Sequence, residues 1–210
     1  MTESVNFIKN KYKLVIFDFD GVIIDSKINM KNSWNDVRKK LNLNCKFESY
    51  FKHIGIPFRE ILIKNQIFDN HKKIEFIYKK SSLKNKNKIK IYNKAKIILE
   101  HISKTKKISI VTSKDKYRTK NFLNHFKLRF DMVLSPSKKL KGKPSKDMLT
   151  YTLKKFRVSK KDACYIGDTE YDYLASKAAG IDFIFARYGY GNYKKKYKYY
   201  INKFLDLRYI

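Results

Sequence analysis

Asp18 and Asp20 stand one residue apart, between the apolar run Leu14-Val15-Ile16-Phe17 and Gly21. Two carboxylates this close repel, which keeps one protonated unless a cation joins them. Such a pair can hold a divalent metal, or one member can attack while the other carries a proton. The run before them, β-branched and aromatic and bounded by a turn residue, reads as a strand buried on both faces. Side chains alternate along a strand, so both carboxylates leave its end on the same side while Phe19 returns to the core. Gly21 accepts φ > 0 and lets the chain leave sharply. The competing reading is an ordinary strand-end turn, where Asp is common. What decides between them is whether other polar residues arrive at the same place.

Two further stretches end in the same way. Lys107-Ile108-Ser109-Ile110-Val111 is a predicted strand running into Thr112-Ser113-Lys114. Ala163-Cys164-Tyr165-Ile166 is another, opening into Gly167-Asp168-Thr169. Short strands are expected at Asp131–Leu134 and Asp182–Ala186. Between them lie helical patterns over Lys94–Ser103, Lys116–Phe126, Ser145–Phe156 and Glu170–Ala179, the last ended by Gly180. In the second of these Tyr117, Phe122, Leu123 and Phe126 form the apolar side. Strands alternating with helices predict a parallel α/β sheet. Ligands of such sheets bind beyond the carboxyl ends of the strands, so Asp18/Asp20, Thr112/Ser113 and Asp168 would converge there.

From about Asp25 to Lys88 the pattern is purely helical. Ser26 can cap a helix carrying Met30, Trp34, Val37 and Leu41 at helical spacing. Phe51, Ile54 and the turn Gly55-Ile56-Pro57 follow. Helices are then predicted over Phe58–Phe68 and His71–Lys80. Ser81–Lys88, polar and lysine-rich, reads as loop or frayed helix end. The domain reading is therefore a core of residues 1–24 and 89–210, interrupted by a helical unit at 25–88. The tail from Gly189 to Ile210, rich in Tyr and Lys, carries no clear pattern.

With 210 residues, 43% of them hydrophobic and 15% aromatic, the chain can bury a sizeable core. Met1–Asn10 holds no apolar stretch of signal-peptide length, and no run approaches the ~20 apolar residues of a membrane span. A cytoplasmic protein is expected. Cys45 and Cys164, with no paired spacing, read as buried thiols. The net charge of +30 fits a nucleic-acid or membrane-surface binder. It also fits compositional drift, since Lys, Asn, Ile, Tyr and Phe are plentiful together and lysine is spread over the whole chain. The even spread favours drift and weighs against a dedicated nucleic-acid surface.

Four segments in order, Asp18-Phe19-Asp20-Gly21-Val22, Val111-Thr112-Ser113-Lys114, Gly142-Lys143-Pro144-Ser145 and Gly167-Asp168-Thr169-Glu170-Tyr171-Asp172, resemble the motifs of the haloacid dehalogenase-like (HAD) hydrolase superfamily. More narrowly, the chain is similar to the phosphoglycolate phosphatase-like and β-phosphoglucomutase-like members, which carry a helical cap between the first two motifs. The resemblance implies a Rossmann-like core with the five strands in the order 5-4-1-2-3, numbered along the chain. It implies Asp18 as nucleophile on phosphorus, forming an aspartyl-phosphate. Asp20 would protonate the leaving oxygen and then activate water. Mg²⁺ would be held by Asp18, the Asp20 carbonyl and Asp168, with Asp172 as a further ligand or as support behind them. Thr112 and Ser113 would bind the phosphoryl oxygens, and Lys143 would neutralise charge between Asp18 and phosphate. Lys114 and Lys146 have no comparable claim. In the helical unit, His53-Ile54-Gly55-Ile56-Pro57-Phe58-Arg59 resembles the substrate-specificity loop of these members. Arg59 would reach a second anionic group on the substrate or stand exposed at a helix start, and His53 reads as a loop residue.

Asp20 argues for phosphoryl transfer against dehalogenation, because a halide leaves without a proton. The proline-glycine pair common before the first core helix is replaced here by Tyr92-Asn93. The implied activity is Mg²⁺-dependent hydrolysis of a small phosphorylated metabolite, the cap moving about Asp25–Ser26 and Lys88–Asn93. The nearest rival is a sugar phosphomutase using the same aspartate. A rival of another class is a basic nucleic-acid-associated protein, with the tail and loop 137–146 as its contact surface.

Overall fold

Strand β1, Leu14–Phe17, lies at the centre of a six-stranded sheet in the computed structural model, which describes residues 11–191 and 197–210. The Met1–Asn10 reading and residues 192–196 of the tail lie outside the described residues. The strands that follow are β2 (Ile24–Asp25), β3 (Lys90–Ile91), β4 (Lys107–Val111), β5 (Met132–Leu134), β6 (Ala163–Gly167), β7 (Asp182–Ala186) and β8 (Tyr199–Ile201). The large sheet runs β5-β4-β1-β6-β7-β8, every neighbouring pair parallel. Its first five members reproduce the order the motifs imply. The sixth, β8, comes from the tail that the sequence leaves unread. A 3₁₀ segment, Phe204–Tyr209, follows it and buries Phe204 and Leu207.

The sheet is buried on both faces, and the alternation of β1 shows why its apolar run is unbroken. Val15 and Phe17 enter the core on one side, Leu14 and Ile16 the core on the other. On β6, Cys164 and Ile166 likewise part from Ala163 and Tyr165. Register pairs Phe17 with Ile110 of β4 and with Ile166 of β6. The polar residues just beyond those positions, Asp18, Thr112 and Asp168, therefore leave the sheet at one end.

The helices are α1 (Lys27–Leu41), α2 (Phe47–Phe51), α3 (Phe58–Lys64), α4 (His71–Lys84), α5 (Ala95–Ser103), α6 (Lys116–Phe126), α7 (Asp147–Phe156) and α8 (Glu170–Ala179). The first four pack around their own apolar cluster, centred on Trp34, Tyr50, Leu62, Ile74 and Tyr78. Trp34 stacks on Tyr50 with centroids 4.5 Å apart, and its indole N–H donates to the Cys45 carbonyl at 2.8 Å. β2 and β3 pair antiparallel, so the chain enters and leaves this helical segment side by side. No helix among the described residues is long and apolar enough to cross a membrane.

Several boundaries differ from the sequence-based expectation. α3 stops at Lys64, not Phe68, because Gln66 turns left-handed at φ 59°. α4 continues to Lys84, into the stretch read as loop or frayed helix end, and the buried Ser81 and Ser82 hydroxyls hold it there by donating to Asp36 at 2.6 Å and Asn29 at 2.8 Å. α7 begins at Asp147, two residues later than Ser145. Tyr117 is exposed, and its neighbour Arg118 is buried instead. Ser26 precedes α1 without capping it by its side chain. Cys164 is buried and Cys45 half-buried, both free.

Removing the indole that organises the helical segment should cost as much as a large aromatic deletion does. Trp34→Ala is expected to lower stability by about 3–5 kcal/mol, read from the urea midpoint. A loss below ~1 kcal/mol would show that the cluster is not built around it.

Candidate active site

Asp18 is buried at the end of β1. One of its oxygens accepts from Lys143 Nζ at 2.8 Å. The same ammonium donates to Asp172 at 2.6 Å. Lys143 therefore bridges the end of β1 to the first turn of α8. Asp172 is held from every side. Tyr165 Oη donates to it at 2.8 Å, and the Thr169 N–H and hydroxyl donate at 2.9 and 2.6 Å. The Thr169 hydroxyl also accepts from the Asp172 N–H at 3.4 Å, which closes a reciprocal cap at the start of α8.

Asp168 sits beneath Gly21, whose φ of +81° turns the chain out of β1. A Cβ at Gly21 would lie 2.1 Å from an Asp168 oxygen. That oxygen accepts from the Tyr190 N–H at 2.6 Å. The other Asp168 oxygen and the second Asp18 oxygen are buried with no hydrogen-bond partner among the described residues. One carboxylate oxygen from each of Asp18, Asp168 and Asp172 lies within 4.8 Å of the others. Two buried carboxyl groups grouped at such range, each with an oxygen lacking a partner among the described residues, fit a hard divalent cation. Asp172, its oxygens already taken, serves best as the support that orients Lys143 and the loop before α8.

On the other side of Asp18 lies Asp20. It accepts from the Ser26 hydroxyl and, through its second oxygen, from Lys114 Nζ at 3.1 Å. Lys114 is buried, with Phe122 beneath its ammonium at 5.0 Å from the ring centroid. Arg118, one helical turn on, is buried too. It donates to Asp115 at 2.6 Å and packs over the Tyr78 ring at 4.9 Å. Asp115 caps α6, accepting from the Arg118 N–H at 3.0 Å. A cavity of about 40 Å³ lies among these groups, its far wall formed by Tyr50, Phe58 and Tyr78 of the helical segment. Pro57 closes against the loop carrying Lys143, since a Cβ at Gly142 would lie 2.3 Å from its ring.

Burial governs the charges here. It pushes Asp18 up from 3.8 to about 7; Lys143 pulls it down while Asp172 and Asp20 add to the rise. Burial raises Asp168 well above the carboxylate range, with Asp172 and Asp18 adding to it. Burial alone would lower Lys143, but Asp172 and Asp18 together outweigh it and raise its pKa. Burial lowers Lys114, against the pull of Asp20. The site thus concentrates negative charge beyond what one ammonium balances, and a divalent cation would reverse the upward push on the carboxylates.

Asp18, Asp20, Thr112, Ser113 and Lys143 all line the cavity, with Asp168 and Asp172 set behind Asp18. The Thr112 hydroxyl accepts from the Lys114 N–H at 3.3 Å, and Ser113 Oγ is buried without a partner among the described residues. Arg59 is not among the lining residues. It is exposed on α3, whose buried side is Ile61 and Leu62. His53 does not line the cavity either. The cations the sequence reading passes over are Lys114 and Arg118. Lysine is too frequent in this chain for Lys114 to stand out. Arg118 had one local signal, Asp115 three residues earlier at a helix start.

A carboxyl raised on folding binds its proton more tightly in the folded chain. Its contribution to stability is full below its unfolded value and is lost as pH rises through the folded one. For Asp18 that window runs from 3.8 to about 7. In metal-free protein Asp18→Asn is therefore expected to melt above the unmodified chain at about pH 7.5 and to lose that advantage near pH 4.5. A difference in Tm that does not vary with pH would contradict the assignment.

Comparison with known proteins agrees with this geometry. A family model described as haloacid dehalogenase-like hydrolase matches residues 15–186. The chain is 30% identical over 176 residues to a Clostridium perfringens protein named pyrophosphatase PpaX, covering 80% of each. It is 27% identical over 183 residues to a phosphoglycolate phosphatase of Aquifex aeolicus, covering 85% of this chain and 86% of that one. Among solved structures, one from Lactobacillus plantarum named as a phosphoglycolate phosphatase superposes with a TM-score of 0.85 at 21% identity, covering 94% and 98%. That last likeness establishes the fold. With the family model spanning most of the chain and carrying all four motif segments, this protein belongs to the haloacid dehalogenase-like hydrolases.

Proposed function

We propose that the protein is a Mg²⁺-dependent phosphatase that hydrolyses a small phosphorylated metabolite through a phosphoenzyme on Asp18. The observation that carries this reading is the orphaned Asp18 oxygen, buried beside Lys143 in a cavity that Thr112 and Ser113 also line. The relatives named as pyrophosphatase and phosphoglycolate phosphatase support it. Asp18 attacks phosphorus in line, and the bond from phosphorus to the leaving oxygen breaks as the new one forms. Asp20, which lines the same cavity, gives that oxygen a proton. It then takes one from the water that attacks the acyl-phosphate, returning Asp18 as a carboxylate. Lys114 and Ser26 hold the Asp20 carboxyl in place for both transfers. Thr112 and Ser113 donate to phosphoryl oxygens, and Lys143 keeps the attacking carboxylate oriented while offsetting charge on the phosphoryl group. Mg²⁺, held by Asp18 and Asp168, would supply further charge neutralisation at those oxygens.

Residues 25–88 act in this reading as a cap that excludes water, moving about Asp25–Ser26 and Lys88–Asn93. The small cavity supports a metabolite as the substrate in this reading. The cytoplasm is the expected compartment.

A phosphate-release screen over small phosphomonoesters with Mg²⁺ tests the proposal. The unmodified protein is expected to turn over at least one compound and Asp18→Asn none, with Lys143→Ala lowering the rate by about 10²-fold or more. Chelation should abolish turnover and Mg²⁺ restore it. Equal rates for Asp18→Asn and the unmodified chain would reject the nucleophile, and an isomeric phosphate in place of free phosphate would make the enzyme a mutase.

A further inference from the structure

Tyr190 stands between two spaces. It lines the cavity of about 40 Å³ at Asp18, and it also lines a neighbouring cleft of about 700 Å³. Ile54 and Thr169 share both linings, one from the helical segment and one from the sheet end. The outer cleft is walled by rings, among them Phe47, Phe51 and Tyr171, and by charges of both signs, Lys27 and Lys52 beside Glu48 and Glu170. A leaving group too long for the inner cavity would have to pass this three-residue wall to reach it.

The tyrosine is pinned from several sides. Its hydroxyl accepts the Ser26 N–H at 2.6 Å and donates to Asp25 at 3.0 Å. Its ring meets Phe51 edge-on, with centroids 5.3 Å apart. Its own N–H donates to Asp168 at 2.6 Å. Glycines on either side let the chain lie this close. A Cβ at Gly189 would fall 2.2 Å from Asp168 Cβ, and one at Gly191 would fall 1.9 Å from the Asp168 carbonyl oxygen. The phenol's one proton and an acceptor site are engaged within the protein, so toward substrate the side chain presents mainly bulk.

We infer that Tyr190, with Ile54 and Thr169, is a partition, complete while the cap is closed, that sets how long a leaving group this site accepts. The residue restricts the enzyme to compact phosphomonoesters and keeps the outer cleft apart from the reacting atoms. Without the side chain, the two spaces join, and the ring-walled cleft receives a long aromatic leaving group such as a nucleoside. The inference rests on the phosphatase reading above and adds to it a specificity-determining residue that the sequence motifs do not contain.

The test compares kcat/KM for glycerol phosphate and for a nucleoside 5′-monophosphate in the unmodified protein, Tyr190→Phe and Tyr190→Ala. The ratio of long to short ester is expected to rise about tenfold or more in Tyr190→Ala. In Tyr190→Phe, which keeps the ring and loses the hydroxyl, it should stay within about twofold of the original. An unchanged ratio in Tyr190→Ala, or the same rise in Tyr190→Phe, overturns the partition. Should Tyr190→Ala fail to fold by circular dichroism, Ile54→Ala thins the same wall and carries the same expectation and the same refutation. If the unmodified protein hydrolyses neither ester, binding decides instead. Calorimetry with Asp18→Asn should then show the nucleoside monophosphate bound about tenfold more tightly once Tyr190→Ala is added, and equal affinities overturn the inference.

Discussion

Lys143 Nζ lies 2.8 Å from Asp18 and 2.6 Å from Asp172, with all three side chains withdrawn from solvent. Removing charges from water costs several kcal/mol per ion, and the attraction between them recovers this only when every remaining donor and acceptor is paired. The Asp172 side meets that condition through Tyr165, Thr169 and the turn before α8. The Asp18 side does not. One of its oxygens is left bare, and Asp168 beside it is in the same position. The imbalance is local and directional. It is what a site that must bind a cation and an anion together would contain, and a stabilising ion pair would not.

The rest of the fold serves to keep these charges where they are. Parallel pairing of β1 with β4 and β6 brings three strand ends to one edge. Gly21 and the Gly189–Gly191 turn then let backbone close over Asp168, where a side chain would collide. The helical segment supplies the opposite wall through Tyr50, Phe58 and Tyr78, and its two crossings are paired as β2 and β3. Rigidity in the sheet and a paired two-strand crossing to the insert are compatible because they lie on different elements.

Much of this was legible in the sequence for definite reasons. Strand ends that stop in Asp, Thr or Asp-Thr after an apolar run are readable because burial on both faces removes the polar alternation of an ordinary strand. The sheet order followed from the motifs, and β1, β4, β6 and β7 fall close to where their patterns place them. The illegible parts share one cause, that side-chain pairing at long range leaves no periodic trace. Ser81 and Ser82 look like loop or a frayed helix end until Asp36 and Asn29 are found opposite them. Lys114 is one lysine among many until it is seen against Asp20. Arg59 has an anion-binding role by resemblance of its loop alone, and its exposure matches the other reading of the same residue, a solvated arginine at a helix start. The tail hid both a strand and Tyr190 because its tyrosines are spent on separate tasks, such as Tyr188 on the Val22 carbonyl at 3.0 Å.

If the carboxylates of Asp18 and Asp168 share one cation beside the Lys143 ammonium, as proposed above, anomalous diffraction from crystals soaked in Mn²⁺ should show a single strong peak within coordination distance of both carboxylates, lost in Asp168→Asn. A peak elsewhere, or none between the two under saturating Mn²⁺, would contradict it.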